Sequence, residues 1–408
     1  MFKKQLEYQQ NFKFFKIEFL IILFLFIFCR RDKTNEVQPY HPTSYQIKIP
    51  LFFPTKLNIP DDNPMTVEGI ELGRYLFYDG RFSGRTDPDS LMSCSTCHLQ
   101  ANAFKCGINN PKFIDGRPYG LSGKVTPHNM MPLINLVFNN EGYLWNGMIN
   151  NNNTNLGLAV YGVPPKPEYN LKNIESVVWM AIVAPHEANG SIERTVKTIQ
   201  NIPMYPPMFF KAFGSDTVTI DRISKSIAQF IRTLISCDSK FDKYLNGEVD
   251  LADAERRGFE LFTTNNGADC FHCHGTDAQP LFTTNLFYNN GKDTVFTDLK
   301  DRFSVTKNPQ DIGAYRAPTL RNILYTAPYM HDGRFKTLDE VLNFYNQKVV
   351  WSPSISPMMQ RVKDGGVHLT PSQISDLKAF LSTLSDEKFI TNPSFSNPRP
   401  SDPYFSHN

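Results

Sequence analysis

The amino-acid sequence predicts a mainly α-helical protein with few strands, built from two related halves. Its 408 residues are enough for two packed domains, at roughly 100–200 residues each. A series of short motifs occurs twice in the same order, which indicates a duplicated plan. Apolar residues recur at the spacing of amphipathic helices near the end of each half.

The composition is that of a folded globular protein. Hydrophobic residues make up 41% of the chain and charged residues 20%, so disorder is not expected over most of its length. The net charge is +2, and lysine and arginine form no long run. We therefore expect no nucleic-acid partner, because such a partner requires a basic face.

The first 29 residues have the pattern of an export signal. Lysines precede ten apolar residues at positions 19–28, a length that suits a signal and is short for a membrane-spanning helix of about 20 residues. Cys29 follows directly, so a lipid on Cys29 and an uncleaved membrane anchor both stay open. The bulky Phe28 before the cysteine and two arginines after it argue against the lipid. Residues 30–50 are predicted to form a polar tether.

A break at Asn246-Gly247 separates the two halves. We predict one domain over residues 51–246, a second over residues 247–390, and a tail over residues 391–408.

Helical spacing and capping signals predict the elements that pack each domain. Apolar positions from Ile220 to Leu234 predict the helix that closes the first domain. Residues 251–262 are predicted to open the second domain as a helix. Thr370 and Pro371 predict the N-cap and first turn of the helix that closes it.

Two long segments, residues 146–170 and 263–315, show little periodicity. Loops of such length are uncommon unless they are functional. We expect both segments to fold over something buried.

The seven cysteines are unevenly distributed, since four of them form two C-x-x-C pairs. A protein built on disulfides would carry an even and dispersed set. Cys106 and Cys237 are left over, and they fit either buried thiols or a bridge.

The pattern C-x-x-C-H occurs twice, as CSTCH at residues 94–98 and CFHCH at residues 270–274. Related motifs surround both copies in the same order. These pairs are GRYLF (73–77) and GFELF (258–262), PLIN (132–135) and PTLRN (318–322), and WNG (145–147) and HDG (331–333).

C-x-x-C-H is the attachment sequence of c-type haem. Two cysteines on one helical turn can each form a thioether with the haem, and the adjacent histidine then binds the iron. The attached cysteines are predicted to be Cys94 and Cys97 in the first half and Cys270 and Cys273 in the second. A zinc site would need four ligands around one ion, and a thioredoxin-like redox pair would not need the histidine or a second copy.

The histidines of the two motifs, His98 and His274, are the predicted iron ligands. His272 lies between the cysteines of the second motif and is expected to be a spectator.

Residues 60–390, about four-fifths of the chain, resemble the bacterial di-haem cytochrome c peroxidase family, including its MauG-type branch. The matching motifs are CSTCH, APHEANG (184–190), CFHCH and the run from YRAPTLRN to VLNFY (315–345). The resemblance implies two cytochrome-c-like helical domains, each with one covalent haem c, and the export pattern predicts a periplasmic location. The resemblance also implies that the first haem reacts with peroxide, that the second transfers electrons, and that a calcium ion lies between the domains.

By this resemblance Glu187 is the catalytic acid and base that moves a proton between the two peroxide oxygens. The alternative is a glutamate at a helix N-terminus, stabilised by the helix dipole. His186 could tune the site. The sequence departs from relatives at Val177 and Ala181, where they carry a glutamine and a proline, so turnover could be slower or the substrate different.

Electron transfer between the haems passes near a tryptophan in the family, and Trp145 resembles it, although a core aromatic is the alternative. The sixth ligand of the second haem is methionine in ordinary relatives and tyrosine in the MauG-type branch. Tyr345 stands at that place, with Met330 as its rival. Phenolate is a hard anionic donor that favours ferric iron.

The resemblance places calcium on the Asn129 side chain and on the main-chain carbonyls of Thr326 and Pro328. His128 replaces an arginine that is common in relatives. It is either structural or a switchable ligand of the first haem.

We expect a peroxidase that reduces hydrogen peroxide with electrons from a small donor protein such as cytochrome c. A MauG-like oxidase of a protein or small substrate is the second hypothesis, favoured by Tyr345 and the altered pocket. The third is an electron-transfer cytochrome without catalysis, which a six-coordinate first haem would favour.

Overall fold

The computed structural model describes residues 40–114, 116–149, 173–297 and 300–406. The predicted export signal, Cys29 and most of the loop 146–170 lie outside these ranges, as does part of the predicted tether. None of the helices in the described ranges is both long and apolar enough to cross a membrane.

The first half consists of helices joined by long loops. Its helices are α1 (Val67–Tyr78), α2 (Cys94–Cys97), α3 (Asn173–Val183), α4 (Ile192–Gln200), α5 (Tyr205–Phe213) and α6 (Ile220–Arg232). Helix α6 begins after Thr219, whose side chain accepts a hydrogen bond from the Arg222 amide. Ile223 and Ile227 of its apolar stripe are fully buried. The helix predicted to close the first half is therefore confirmed.

The second half is also made of helices joined by loops. Helix α7 (Lys240–Leu245) lies just before the predicted boundary, and the helices after it are α8 (Asp253–Phe262), α9 (Phe271–His274), α10 (Phe303–Thr306), α11 (Leu338–Gln347), α12 (Pro371–Ser382) and α13 (Glu387–Thr391). Thr370 caps α12 by accepting from the Gln373 amide, and Pro371 occupies the first helical position. The predicted opening and closing helices of this half are both confirmed.

Strands are few and short in the described residues, as predicted. Strands β1 (Phe113–Ile114) and β2 (Arg117–Pro118) form one antiparallel pair, with Phe113 opposite Pro118. Strands β3 (Phe287–Tyr288) and β4 (Tyr315–Arg316) form another, with Phe287 opposite Arg316. The fold is thus mainly helical.

The repeated glycine of the GRYLF and GFELF motifs lets two helices meet closely in each half. A Cβ on Gly73 of α1 would lie 1.9 Å from the Ser226 carbonyl oxygen of α6. A Cβ on Gly258 of α8 would lie 2.0 Å from the Asp376 carbonyl oxygen of α12. The same contact is therefore made twice, which explains why the motif is duplicated.

The repeated asparagine of PLIN and PTLRN also has the same role in both halves. Asn135 and Asn322 adopt left-handed backbone conformations, with φ of 58° and 59°, and each precedes a 3-10 helix. Both side-chain amides donate to Ser236. The Asn135 amide donates to the Ser236 carbonyl at 3.2 Å, and the Asn322 amide donates to the Ser236 hydroxyl at 3.0 Å. The segment that connects the halves is thus held from both sides.

The described chain has two main hydrophobic clusters. One combines side chains from Leu72 to Leu234 with Phe389 and Phe405, and the other runs from Phe241 to Leu384. The residues predicted as a tail therefore return to the first half. One compact unit covers Pro42–Asn408, and the boundary at residues 246 and 247 stays a prediction.

Replacing Asp242 by alanine is expected to lower the free energy of unfolding by about 3–5 kcal/mol, the usual loss for one partner of a buried ion pair. The fully buried Arg321 donates to both oxygens of Asp242, at 2.8 and 2.6 Å, and would keep an unpaired charge. Denaturant titration of the haem-loaded protein measures the loss.

The matched control is Asp339→Ala, which removes an exposed pair with Lys378 at 2.6 Å. We expect this change to cost less than about 1 kcal/mol. If both variants lost the same free energy of unfolding, burial of the Arg321–Asp242 pair would not be the reason for the larger loss expected in Asp242→Ala.

Candidate active site

The first C-x-x-C-H motif forms a four-residue helix, α2, at the edge of a large cavity. Cys94 and Cys97 lie on the helix, and the His98 amide closes its last turn by donating to the Cys94 carbonyl at 2.9 Å. All three residues line the cavity, which measures about 1690 Å³ including its opening to solvent. Both halves of the chain contribute to its wall, the second through residues such as Arg316 and Pro318.

The His98 ring is held by a main-chain acceptor. Its Nδ1 lies 2.7 Å from the Phe104 carbonyl oxygen. Because a carbonyl can only accept, Nδ1 carries the proton, and Nε2 keeps a lone pair for a metal. Burial lowers the pKa of His98 to about 4, against the opposing effect of the Phe104 carbonyl. The imidazole is therefore neutral at physiological pH, as a metal ligand must be.

The thiols of the first motif also suit haem attachment. Burial raises the pKa of Cys94 to about 12 and raises the pKa of Cys97 as well. Neither thiol forms a disulfide, although both face the same cavity. Two neutral and unbridged thiols beside a ligand-ready histidine fit a covalently held haem.

The second motif, which begins one residue before α9, has a similarly held histidine and similarly shifted thiols. The Nδ1 of His274 lies 3.1 Å from the Pro318 carbonyl oxygen, and burial lowers the pKa of this histidine to about 4. Burial raises the pKa of Cys270 and of Cys273 to about 12. A histidine with a free Nε2 and two neutral thiols are therefore present here as well, so this motif fits a second haem.

His272 interacts with a carboxylate beside the second motif. Its Nδ1 lies 2.8 Å from Asp269, and its ring stacks on Phe271. This contact agrees with the expectation that His272 is a spectator.

Cys106 and Cys237 are free thiols, so the alternative of a bridge between them is wrong.

Both candidates for the sixth ligand lie together near the second motif. The Asn290 amide donates to the Tyr345 hydroxyl at 2.9 Å and lies 3.8 Å from the Met330 sulfur. Burial raises the pKa of Tyr345, and the hydrogen bond from Asn290 opposes this rise. Cys273 and Cys270 are close enough to act on the hydroxyl. Asn290 was not predicted as a site residue, because it lies in a segment without periodicity.

Glu187 lines the same cavity as the first motif. It lies in a turn after α3, which ends at Val183, and before α4, which begins at Ile192. The alternative of a glutamate at a helix N-terminus is therefore wrong. Burial raises the pKa of Glu187 to about 7. Its charge adds to burial in raising the pKa of Cys94, so the carboxyl group lies close to the first motif.

The main chain at Glu187 is fixed by neighbouring loops. Its carbonyl accepts from the Leu121 amide at 2.8 Å, and its amide donates to the Ala184 carbonyl at 3.0 Å. The Ser122 hydroxyl donates to the Pro185 carbonyl. The side chain therefore projects from a rigid turn.

The residues that depart from relatives line the cavity too. Val177 and Ala181 lie on α3 and add apolar surface to its wall. Burial lowers the pKa of His186 to about 4, with smaller effects from the charges of Lys300 and Lys124. A neutral His186 thus also lines the cavity beside Glu187.

Trp145 is buried between the two halves. Its Nε1 donates to the Asn129 carbonyl at 2.7 Å, and its own carbonyl accepts from the Arg316 amide at 2.8 Å. The Trp145 ring lies 6.3 Å from that of His331, which stacks on Tyr315 at 3.6 Å. Trp145 therefore joins the first cavity to a group of aromatic rings from the second half.

His128 belongs to the same group of rings. It is buried, it lines the first cavity, and its ring lies 5.5 Å from that of Tyr315. This position agrees with a structural role and with a switchable ligand, so both alternatives stay open.

The predicted calcium ligands meet a lysine instead. The Lys105 amine donates to the Thr326 carbonyl at 2.7 Å and to the Pro328 carbonyl. The Asn129 amide nitrogen also donates to Pro328, at 2.7 Å, and to Met330, at 3.2 Å. Donors thus occupy the positions where a cation would bind, and these residues do not fit calcium as they stand. Sequence reasoning missed Lys105, since main-chain acceptors leave no trace in residue type.

Comparisons with known proteins agree on one group of relatives. A family described as "Di-haem cytochrome c peroxidase" matches residues 67–250. The methylamine utilization protein MauG of Methylophilus methylotrophus is 28% identical over 337 residues, which cover 81% of this chain and 86% of that protein. The cytochrome c551 peroxidase of Nitrosomonas europaea is 29% identical over 332 residues, which cover 80% of this chain and 82% of that protein.

A solved structure shows the same similarity. The crystal structure of a MauG-like protein associated with microbial copper homeostasis is 31% identical and has a TM-score of 0.71. The match covers 87% of this chain and 99% of that one.

Proposed function

Since this chain belongs to the di-haem cytochrome c peroxidase family, and is therefore an oxidoreductase of the peroxidase type, we propose that it reduces hydrogen peroxide to water. The electrons would come from a small redox protein such as a cytochrome c. One observation carries the proposal: a single cavity brings Cys94, Cys97 and His98 together with Glu187 and Trp145.

Each half is proposed to form a cytochrome-c-like domain that holds one covalent haem. Cys94 and Cys97 would bind the first haem and Cys270 and Cys273 the second. The histidine after each pair would bind iron through Nε2, because its Nδ1 is bonded to a carbonyl. When bound, the first haem supplies the electrons that peroxide takes up, and the second haem supplies electrons to the first.

Glu187 is proposed to move the proton that peroxide cleavage requires. Its carboxylate takes a proton from one peroxide oxygen and returns it to the other, which leaves as water. Two electrons and two further protons complete the reduction of one peroxide to two waters. A pKa near 7 lets Glu187 both accept and donate at physiological pH. Val177 and Ala181 give the wall of this cavity apolar side chains.

Trp145 is proposed to lie on the electron path between the haems. It contacts the first cavity directly and the second half through His331 and Arg316. Its indole Nε1 bond to Asn129 fixes the ring orientation.

A second candidate function is oxidation of a protein or small substrate, as in the MauG-type branch. The observation that favours it is Tyr345, whose hydroxyl lies at the second motif beside Asn290. A tyrosinate ligand would favour oxidised iron and hence the storage of oxidising power. Consumption of peroxide without any reduced donor protein would support this candidate.

The N-terminal pattern supports a proposal of export to the periplasm. Attachment to the membrane, through a lipid on Cys29 or an uncleaved segment, stays a prediction. Mass measurement of the protein recovered from the periplasm would distinguish a cleaved, a lipid-bearing and a full-length N-terminus.

The proposed function is tested by peroxide consumption with a reduced cytochrome c as donor. We expect cytochrome oxidation at two equivalents per peroxide, dependent on the haem-loaded enzyme. A first haem that is six-coordinate and low-spin in every redox state, with no peroxide consumption, would favour the electron-transfer cytochrome instead.

Gly120→Ala is expected to lower peroxide turnover by about 10- to 100-fold while haem content stays normal. A Cβ at this position would lie 2.2 Å from the Glu187 carbonyl oxygen and 2.4 Å from its amide nitrogen, so the turn must move. Steady-state kinetics and the haem absorption spectrum measure the two quantities.

The control is Gly123→Asn in the same loop. A Cβ there meets no atom within 4 Å, and asparagine tolerates the left-handed φ of 77°. Turnover should be unchanged. Equal turnover in Gly120→Ala would show that the position of Glu187 is not critical.

A further inference from the structure

Lys105 is a buried lysine in the loop that holds the first iron ligand. The residue is 4% exposed, and it directly follows Phe104, whose carbonyl accepts from His98. The Leu99 amide donates to the Lys105 carbonyl at 3.1 Å and closes the loop. Any group bound by the Lys105 amine is therefore coupled to the loop that orients His98.

The amine binds main-chain oxygens of the other half. It donates to the Thr326 carbonyl at 2.7 Å and to the Pro328 carbonyl. The titratable groups that act on it are Cys106 and Lys336, and neither is a carboxylate. Within the described part of the chain, no carboxylate acts on the amine, which donates to the two carbonyls directly.

These two carbonyls are the same oxygens that a divalent cation would use. Calcium binds oxygen ligands at about 2.3–2.6 Å, so an ion on both carbonyls would overlap the Lys105 amine. The third expected ligand, Asn129, also turns its amide nitrogen toward Pro328. Both donors belong to the first half, and both acceptors belong to the second.

We propose that Lys105 takes the place of a calcium ion, so that the chain joins its two halves through a covalently attached amine and needs no divalent cation there. The Thr326–Pro328 turn leads directly to Met330 and His331, which lie near the second motif and Trp145. Lys105 is thus a positioning residue between the two sites. The inference goes beyond the proposed function, because it holds for any reaction of the haems.

Metal analysis of the haem-loaded protein, purified with calcium in every buffer, tests the proposal. We expect far less than one calcium per chain after removal of unbound ions. Treatment with a calcium chelator should leave the haem spectra and the melting temperature unchanged. One tightly held calcium per chain, or a chelator-dependent spectrum, would overturn the proposal.

Lys105→Ala provides a second test, since it removes the amine and leaves room for an ion. We expect a melting temperature lower by on the order of 5 °C, because two buried carbonyls lose their donor. Millimolar calcium should restore most of this loss, and titration calorimetry should detect one calcium per chain. If calcium did not raise the melting temperature of Lys105→Ala again, the proposed equivalence of the amine and the ion would be contradicted. An unchanged melting temperature in this variant would contradict it as well.

Lys336→Ala is the matched control. Its amine also donates to a carbonyl in this region, that of Gly333 at 2.5 Å, but the residue is only half-buried. Calcium should not change the stability of this variant. If Lys105→Ala does not fold, the calcium content of the unchanged protein still decides the question.

Discussion

Replacing Glu187 by glutamine is expected to lower peroxide turnover by about 100-fold or more, while the protein keeps its full haem content. Glutamine has nearly the same size as glutamate, so the cavity wall is preserved. Its amide cannot accept a proton from peroxide, and proton transfer between the two oxygens is lost. Steady-state kinetics with a saturating reduced donor measure the effect.

The pH dependence of the same reaction gives an independent readout. Burial raises the pKa of Glu187 to about 7, so the carboxylate needed to accept a proton is populated only as the pH rises through this value. We expect kcat/KM for peroxide to increase between about pH 6 and 8 and then to level off. Glu187→Gln should lack this increase.

The matched control is Glu193→Gln on α4. Glu193 is exposed and lies only six residues further along the chain. Its replacement should leave turnover and the pH profile unchanged. Unimpaired turnover in Glu187→Gln would remove this residue from the mechanism.

Tyr345→Met is expected to shift the reduction potential of the second haem upward by on the order of 100 mV or more. Axial ligands set haem potentials over a range of about 0.8 V. A phenolate oxygen stabilises ferric iron, whereas a thioether sulfur stabilises the ferrous state. Redox titration measures the potential, and electron paramagnetic resonance of the oxidised protein measures the ligand field.

Tyr288→Met is the control for this change. Tyr288 also lies near Cys273, but its hydroxyl is bonded to Thr284 at 3.0 Å. We expect its replacement to leave the low-spin resonance unchanged. An unchanged resonance in Tyr345→Met would exclude Tyr345 as the ligand and favour Met330.

The parts of the fold that sequence predicted are those with a local signal. Helix α6 follows from its apolar spacing, and α12 follows from Thr370 and Pro371 at its start. The duplicated glycines predicted two equivalent halves, and their close helix contacts explain the repeat. The proposal of haem attachment also depends on a local signal, because the two cysteines and the histidine of each motif lie within five positions.

The parts that sequence did not predict depend on contacts across the chain. Lys105 would ordinarily be taken for an exposed side chain, and its burial depends on carbonyls more than 200 residues away. Asn290 lies in a long loop, and only the folded chain brings it to Tyr345. A polar residue whose partner is a main-chain group or a distant residue therefore has no recognisable pattern in the sequence around it.

The end of the chain illustrates the same point for packing. Residues after 390 were predicted only as a tail, because they show no helical periodicity. Phe405, with Phe389 just before the tail, is nevertheless buried against the first half, and Arg74 donates to the Pro393 carbonyl at 2.8 Å. Such packing of the C-terminal residues depends on apolar surface that the helices of the first half leave uncovered, and this surface exists only in the folded chain.

The most direct test of the account is the number of covalently attached haems per chain. The protein should be produced in a host that matures c-type cytochromes and examined by intact mass spectrometry after extraction with acidic acetone, which removes haem that is not covalently bound. Two haems per chain, at Cys94 and Cys97 and at Cys270 and Cys273, are predicted. A chain that retains one haem or none would contradict the account.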